Sequence, residues 1–259
     1  MLNYQRQAIE EIIALVPNAQ IEYLNLDLTS LEGIKQAVDE FTSKESQLHI
    51  LLNNAGVMGM ASELTKDGFD VQWGTNHMGH ALLTKLLLPT LIKTAQTSPR
   101  NSVRIVNVSS EGHRGARSGI NFADTVLATS SKWTRYGQSK LANILHAKAL
   151  AKRYGEHGII AVSCHPGVVF TDLYVPFTSS LGFLGPVFAW PMKKLTVSPE
   201  VGSYNQIGLC TSPQITVEDG GSYYIPVMKK GTPSAYGQDG VLADKLWEYT
   251  EQQLGDRGY

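Results

Sequence analysis

The sequence predicts an α/β fold built on a parallel sheet with crossover helices. Apolar runs of strand length alternate with helical patterns along the whole chain, which is the order that βαβ units require. The composition agrees, since 24 glycines and 42% hydrophobic residues are typical of a compact domain with many tight turns. No repeat, low-complexity tract or linker interrupts the 259 residues, so we expect a single domain over 1–259.

The first half of the chain is predicted to alternate helices with two strands. Its helices carry apolar residues at helical spacing, and Thr29 and Ser30 are candidate N-caps for the second helix. Its second strand is a short continuous apolar run, as expected where a strand is covered on both faces. The predicted elements are a helix at about 3–14, a strand at 21–26, a helix from 29 to about 41, a strand at 48–52 and a helix at about 69–94.

The second half continues the alternation, with one irregular stretch. The third strand leads into a polar, glycine-bearing loop at about 111–131. After His165 the pattern becomes irregular and aromatic up to about Leu195. The predicted elements are a strand at 103–108, a helix at about 133–154, a strand at 159–163, a helix at about 199–210, a strand near 223–227 and a helix at 241–254.

Charge and cysteine content exclude several classes of protein. Lys and Arg total 22 and Asp and Glu total 23, so the net charge of -1 offers no basic surface for nucleic acid or anionic lipid. Cys164 and Cys210 fit neither a disulfide framework nor a zinc site. The N-terminus lacks the apolar core of a signal peptide, and the longest apolar run, 181–192, is broken by glycine and proline. We therefore expect a soluble, cytoplasmic protein without a transmembrane segment.

Two further kinds of chemistry are excluded by motif. His77 and His80 are spaced as a metal-binding pair, but no third ligand candidate lies near them in the sequence, so no metal is expected. The sequence contains no Gly-x-Ser-x-Gly segment, which a serine hydrolase of the α/β type requires.

A tyrosine and a lysine four residues apart form the candidate catalytic pair. Tyr136 and Lys140 lie at i and i+4 on the helix predicted from about Trp133, and therefore on one face of it. A lysine ammonium beside a phenol favours the phenolate and lowers a pKa that is otherwise about 10. The phenol then serves as a general acid and base near neutral pH. The alternative is a pair on the helix surface with no chemical role.

Three predicted strands end in polar or turn residues. These are Ser109 and Ser110, the segment 53–56 (Asn-Asn-Ala-Gly) and the segment 166–171, which begins with Pro-Gly. Ligands bind beyond the carboxyl ends of the strands in open α/β sheets. A serine at this edge can donate a hydrogen bond to a substrate oxygen that gains negative charge. The alternative role of such a serine is to cap a helix or turn.

The motifs follow one order along the chain, namely Asp27, Asn53-Asn54-Ala55-Gly56, Asn76, Ser109-Ser110, Tyr136-x-x-x-Lys140 and Pro166-Gly167. This order resembles the short-chain dehydrogenase/reductase family over nearly the whole chain. The segments 75–80 and 139–143 are most similar to the branch that contains retinol dehydrogenases and WW-domain oxidoreductases, without a WW domain. The resemblance implies a Rossmann-like, doubly wound parallel sheet and an NAD(P)-dependent interconversion of an alcohol and a ketone or aldehyde.

The resemblance also implies a role for each matched residue. Tyr136 would donate or accept the proton, Lys140 would bind the nicotinamide ribose, and Ser110 would polarise the substrate carbonyl. Ser110 is preferred to Ser109 because the second serine is the catalytic one in the family pattern. Asn76 would anchor a water that relays protons to Lys140, or, in the alternative, would only bend or cap its helix. The implied cofactor, NADP in preference to NAD, would contact Asp27, Leu28, Asn54, Ala55, Gly56, Tyr136, Lys140, Val169 and Thr171.

The sequence departs from the family pattern near its N-terminus. The family opens with a strand and a Thr-Gly-x-x-x-Gly-x-Gly turn, whose N–H groups bind the cofactor diphosphate. The first glycine of this chain is Gly33, and no Gly-x-Gly occurs anywhere in it. We therefore expect an N-terminally truncated sheet that lacks the first two strands of the family. The alternative function is a non-catalytic family member that binds a lipophilic ligand or a protein partner.

An apolar segment at about 171–196 is predicted to cover the substrate. It is rich in aromatic residues, among them Phe183 and Phe188, and it carries few charges. In the family this stretch forms a lid, so we expect a small lipophilic alcohol or carbonyl substrate in a site that excludes water. The alternative is that these residues pack in the core or in a dimer interface. The family includes homo-oligomers in which the helix bearing the tyrosine packs against its copy.

Overall fold

The computed structural model describes residues 2–169 and 196–259. Within these residues, helices alternate with strands along the chain. Ser30 caps α2 as predicted, and Ser131 caps α5 by accepting a hydrogen bond from the Thr134 N–H. The helices are α1 (Leu2–Leu15), α2 (Leu31–Lys44), α3 (Val71–Trp73), α4 (Gly79–Thr97), α5 (Lys132–Tyr154), α6 (Pro199–Thr211), α7 (Ala235–Gln238) and α8 (Gly240–Gly255).

The described strands form one sheet in the order β1-β2-β3-β4-β5. They are β1 (Ile50–Asn53), β2 (Val103–Val108), β3 (Ile159–Cys164), β4 (Tyr223–Ile225) and β5 (Lys229–Gly231). The first four are parallel, and β5 pairs antiparallel with β4. Asn107 of β2 lies opposite Asn53 of β1 and Ser163 of β3, so these strands end level with one another. Their carboxyl ends therefore form one continuous edge.

Apolar residues pack on both faces of this sheet, which confirms the predicted α/β fold with a doubly wound parallel sheet. On β2, Ile105 belongs to the core beneath α4, α5 and α8, whereas Val106 and Val108 belong to the smaller core beneath α6. Every residue of β2 and β3 is buried, as their continuous apolar runs predict. None of the described helices is both long and apolar enough to cross a membrane.

The strand predicted at 21–26 is wrong, because the backbone of these residues forms no ladder in the structure. Tyr23 is 39% exposed and Leu26 is 36% exposed, while Ile21 and Leu24 are half-buried, so the segment is not buried as a strand of the sheet would be. A strand is stabilised by hydrogen bonds to a neighbouring strand, and no described strand lies beside this segment. The sequence pattern of a segment does not reveal whether a neighbouring strand is present for it to pair with.

β1 also differs from its prediction. It spans Ile50–Asn53, and its burial alternates, with Ile50 and Leu52 each 39% exposed. The expectation that this strand is covered on both faces is therefore wrong. β1 lies at the edge of the described sheet, where it pairs with one strand only, and Ile50 and Leu52 remain partly exposed there.

The helix predicted at about 69–94 is interrupted by a wide turn. Asp70 caps its start by accepting hydrogen bonds from the N–H groups of Gln72 and Trp73 at 3.0 and 3.1 Å. A π-helical turn, Gly74–Met78, then separates α3 from α4. Sequence reasoning predicted neither this turn nor two short elements, β5 and α7. The remaining predicted elements agree with the structure to within a few residues.

Candidate active site

A cleft of about 630 Å³ lies beyond the carboxyl ends of β1, β2 and β3. It is the place where an open parallel sheet binds its ligands. The cleft contains the predicted pair Tyr136 and Lys140 together with Ser110. Its lining residues are Asn54, Ala55, Gly56, Val57, Met58, Val108, Ser109, Ser110, Tyr136, Lys140, Pro166, Gly167, Val169, Pro199, Gly202, Ser203 and Gln206.

Tyr136 and Lys140 lie side by side on the face of α5 that borders the cleft. The Lys140 ammonium nitrogen is 5.9 Å from the centre of the Tyr136 ring, and both side chains are buried. Lys140 Nζ donates a hydrogen bond of 3.0 Å to the Val108 carbonyl oxygen at the end of β2. Burial lowers the pKa of Lys140 to about 8, so the ammonium remains the main form at pH 7. The pair thus places a positive charge beside a phenol.

Asn143 is a site residue that sequence reasoning missed. Its Nδ2 donates a hydrogen bond of 3.0 Å to the Val108 carbonyl oxygen that also accepts from Lys140. It therefore helps to hold the end of β2 against α5 at the position of the lysine. The signal was present in the sequence, since Tyr136, Lys140 and Asn143 follow the i, i+4, i+7 spacing of one helix face.

Asn76 lies in the π-helical turn behind the cleft. Its Oδ1 accepts from the Val57 N–H at 2.8 Å, and its Nδ2 donates to the Val57 carbonyl oxygen and to Ser139 Oγ, each at 2.9 Å. The side chain therefore ties the loop after β1 to α5. A β-carbon added to Gly56 would lie 2.8 Å from Asn76 Oδ1 and 3.3 Å from Lys140 Nζ, so Asn76 and Lys140 meet at that loop. Asn76 itself does not line the cleft.

The two serines after β2 have different environments. Ser109 is buried, and its Oγ donates to the Lys140 carbonyl oxygen at 2.8 Å, which fastens α5 to the strand. Ser110 Oγ accepts from the Gly112 N–H at 3.0 Å and borders the cleft. Since that hydroxyl acts as the acceptor in this bond, its hydrogen can still be donated to a ligand oxygen. This geometry favours Ser110 over Ser109 as the residue that contacts a substrate.

The predicted cofactor contacts are divided between the cleft and the rest of the chain. Asn54, Ala55, Gly56 and Val169 line the cleft together with Tyr136 and Lys140. Asp27 and Leu28 are not among the residues that line it. The Asp27 carboxylate accepts from the side chain and N–H of Thr29 at 2.6 and 2.9 Å, and these bonds lower the pKa of Asp27. Thr171 and nearly all of the predicted lid, 171–196, lie outside the described residues.

One wall of the cleft comes from α6, which sequence reasoning did not assign to the site. Pro199, Gly202, Ser203 and Gln206 line the cleft from this helix. A β-carbon added to Gly202 would clash with the Val169 side chain, so the absence of a side chain at Gly202 lets α6 approach the segment after β3 closely. The spacing of these four residues marks one helix face and could have indicated the wall.

The histidines near the site are held by hydrogen bonds within the fold. His77 Nε2 bonds Thr250 Oγ1 at 3.0 Å, and His80 Nδ1 lies 3.1 Å from the Asn76 carbonyl oxygen. Burial lowers the pKa of both rings, which favours their neutral forms. His165 Nδ1 accepts from the Gly167 N–H at 3.0 Å and so shapes the loop that borders the cleft. Among the described residues, no three His, Cys, Asp or Glu side chains are grouped as metal ligands.

Comparison with known proteins finds dehydrogenases and reductases. The family model for short chain dehydrogenases matches residues 1–181. The chain is 39% identical over 265 residues to the short-chain dehydrogenase/reductase drtF of Aspergillus calidoustus, covering 96% of this chain and 82% of that protein. It is 40% identical over 263 residues to the uncharacterized oxidoreductase C736.13 of Schizosaccharomyces pombe, covering 99% and 76%. Among solved structures, NADPH-bound carbonyl reductase from chicken fatty liver has a TM-score of 0.63 and 25% identity, covering 87% and 82%.

Proposed function

The chain belongs to the short-chain dehydrogenase/reductase family, and we propose on that basis that it interconverts an alcohol and a ketone or aldehyde with NAD(P). The observation that carries the proposal is the meeting of Tyr136, Lys140 and Ser110 in one cleft at the carboxyl ends of β2 and β3. These are the three groups that carbonyl reduction requires of the protein, namely a proton donor, a charge that stabilises its conjugate base, and a hydrogen-bond donor to the substrate oxygen.

In the direction of reduction, the substrate carbonyl oxygen would lie between Ser110 Oγ and the Tyr136 hydroxyl. The nicotinamide cofactor supplies the hydride when it is bound. As negative charge develops on the carbonyl oxygen, Ser110 donates a hydrogen bond to it and Tyr136 transfers its proton to it. The Lys140 ammonium, 5.9 Å from the centre of the Tyr136 ring, stabilises the resulting phenolate. Oxidation of the alcohol is the reverse of these steps.

The cleft residues fit the nicotinamide half of an NAD(P) molecule. Lys140 Nζ lies close to the Gly56 backbone, with no side chain at Gly56 to fill the space between them. Asn54, Ala55 and Val169 line the same cleft. We propose that these residues hold the cofactor together with Tyr136 and Lys140, and that Thr171 contributes from the strand end. NADP is the preferred form in this proposal, supported by the NADPH-bound carbonyl reductase of similar fold.

A small lipophilic substrate is proposed for the same cleft. Val57, Met58, Pro166, Val169 and Pro199 contribute apolar surface to it. An apolar lining excludes water from the site of hydride transfer. We also propose a place near the branch of retinol dehydrogenases and WW-domain oxidoreductases, which the segments 75–80 and 139–143 resemble.

A second candidate is a family member that binds a ligand or protein partner without catalysis. Two observations favour it, since the sequence contains no Gly-x-Gly and neither Asp27 nor Leu28 lines the cleft. Titration of the 259-residue chain with NADPH and NADH, followed by nicotinamide fluorescence and thermal melting, separates the two candidates. Saturable binding with a raised Tm supports the oxidoreductase. A folded chain that binds neither nucleotide supports the second candidate.

A further inference from the structure

We propose that His113 is a positioning residue that fixes Ser110 from outside the cleft. The inference rests on the proposed function, because it concerns the serine that would polarise the substrate carbonyl. His113 lies in the short turn Glu111–Gly115 that follows Ser110, and its side chain is 0% exposed. It is not among the residues that line the cleft, so any influence on the reaction has to pass through Ser110 or the turn.

The hydrogen bonds of His113 determine which of its ring nitrogens carries the proton. Nε2 lies 3.0 Å from the main-chain nitrogen of Ser234, and a main-chain N–H can only donate. Nε2 is therefore the acceptor and carries no hydrogen. The neutral ring then has its proton on Nδ1, which donates to the Ser110 carbonyl oxygen at 2.6 Å. Burial lowers the pKa of His113, which supports the neutral ring at pH 7.

The turn that carries His113 is anchored to a part of the chain that is more than 110 residues away in sequence. Arg114 donates a hydrogen bond of 2.8 Å to the Thr232 carbonyl oxygen, and the Tyr223 hydroxyl donates to Glu111 Oε1 at 3.0 Å. Together with the bond from Ser234 to His113, these contacts fasten the turn to β4 and to the segment between β5 and α7. Within the turn, the Ser110 carbonyl oxygen accepts two hydrogen bonds from His113, one from its main-chain N–H at 3.0 Å and one from its ring Nδ1.

The carbonyl and the hydroxyl of Ser110 are both hydrogen-bonded to the turn that follows. The Ser110 backbone is extended, with φ -158° and ψ 154°, and its Oγ accepts from the Gly112 N–H at 3.0 Å. A rotation of the Ser110 carbonyl would move the following peptide and break the bond to Gly112. The hydroxyl would then lose the orientation that leaves its hydrogen for the substrate. The His113 ring adds to the bond from its own main-chain N–H and opposes that rotation through a short hydrogen bond, whose direction is set by Ser234.

Leucine and asparagine at position 113 form a matched pair of variants. They have similar shape, and asparagine alone carries an amide that can donate to the Ser110 carbonyl oxygen in place of Nδ1. We expect His113→Leu to lower kcat for carbonyl reduction by roughly tenfold or more, because the reacting geometry loosens. His113→Asn should recover kcat to within about threefold of the wild type, and the Kd for NADPH should stay within about twofold in both.

The same pair placed in a Ser110→Ala background tests whether His113 acts through Ser110. There, His113→Leu should change kcat by less than about twofold, because the group that it positions is already missing. The proposal is overturned if His113→Leu lowers kcat by the same factor in the wild-type and Ser110→Ala backgrounds. It is also overturned if His113→Asn lowers kcat in the wild-type background as much as His113→Leu does.

The tautomer itself can be measured on the wild-type chain without any activity. Nitrogen-15 NMR of histidine-labelled protein should show His113 protonated at Nδ1, with a proton signal that exchanges slowly with solvent. Protonation at Nε2 would overturn the proposal even where a variant fails to fold. A wild-type chain that reduces no carbonyl would instead overturn the proposed function, while the NMR result would still decide whether His113 holds the Ser110 carbonyl.

Discussion

Replacing Gly112 by alanine is expected to displace the ring of Tyr136 and to lower turnover while the chain stays folded. A β-carbon at Gly112 would lie 2.7 Å from Cε1 and 3.1 Å from Cδ1 of Tyr136, and 3.2 Å from Ser110 Oγ. Carbon atoms pack at about 3.5–4.0 Å, so the ring would have to move by roughly 1 Å. A shift of about 1 Å in a reacting group can cost about a hundredfold in rate, and we expect a loss of that order in kcat.

Gly115→Ala is the matched control for this variant. Gly115 belongs to the same turn, and its β-carbon would meet nothing closer than the Trp133 carbonyl oxygen at 3.5 Å, an ordinary contact. The assay is the initial rate of NADPH oxidation with an apolar ketone, together with a thermal melt of each variant. The reasoning is refuted if Gly112→Ala keeps kcat within about twofold of the wild type, or if Gly115→Ala loses as much.

Two further predictions concern buried charges. Lys140→Met should abolish turnover yet raise Tm at pH 7, since burial lowers the pKa of Lys140 from 10.5 to about 8 and a charged lysine there costs about 3 kcal/mol. The increase in Tm over the wild type should be largest below about pH 8, where the buried lysine is charged. It should disappear above about pH 10.5, where the lysine is neutral in the unfolded chain as well. A Tm difference between variant and wild type that stays the same from about pH 8 to about pH 10.5 would contradict the prediction. Arg135→Met should lower the free energy of unfolding, measured with urea, by about 3–5 kcal/mol. Arg135 Nε lies 3.0 Å from the buried Asp70 carboxylate, which the substitution would leave without its opposite charge. The double variant Asp70→Asn/Arg135→Met should recover most of this free energy, because no buried charge is then left unpaired. If Arg135→Met alone costs less than about 1 kcal/mol, the ion pair contributes little to stability.

Features set by local sequence were predicted well. β2 was predicted with its observed bounds because its residues, Val103–Val108, are apolar enough to be buried on both faces. Tyr136 and Lys140 were placed together because helical spacing alone puts them on one face of α5. The choice of Ser110 came from the family pattern. The structure adds a physical reason, because the Ser109 hydroxyl already donates its hydrogen to the Lys140 carbonyl oxygen of α5.

Features that depend on distant parts of the chain were not predicted. The segment 21–26 has the composition of a strand, but a strand forms only beside another strand, and the described sheet places none there. The π-helical turn at Asn76 follows from its hydrogen bonds to Val57 and Ser139, which lie 19 and 63 residues away in sequence. The α6 wall of the cleft likewise depends on the close approach of Gly202 to Val169. Spacing along the sequence can mark a helix face, as it does on α6, but it does not show which distant residues that face contacts.

The role of Tyr136 is best tested by turnover of an apolar ketone with NADPH, compared between the wild type, Tyr136→Phe and the exposed control Tyr236→Phe. We expect the wild type to reduce the ketone. Tyr136→Phe should bind NADPH with a Kd within about threefold of the wild type, whereas its kcat should fall by at least about a hundredfold. Tyr236 lies on α7 and does not line the cleft, so its variant should keep the wild-type rate. Wild-type turnover by Tyr136→Phe would contradict the assignment of Tyr136 as the proton donor.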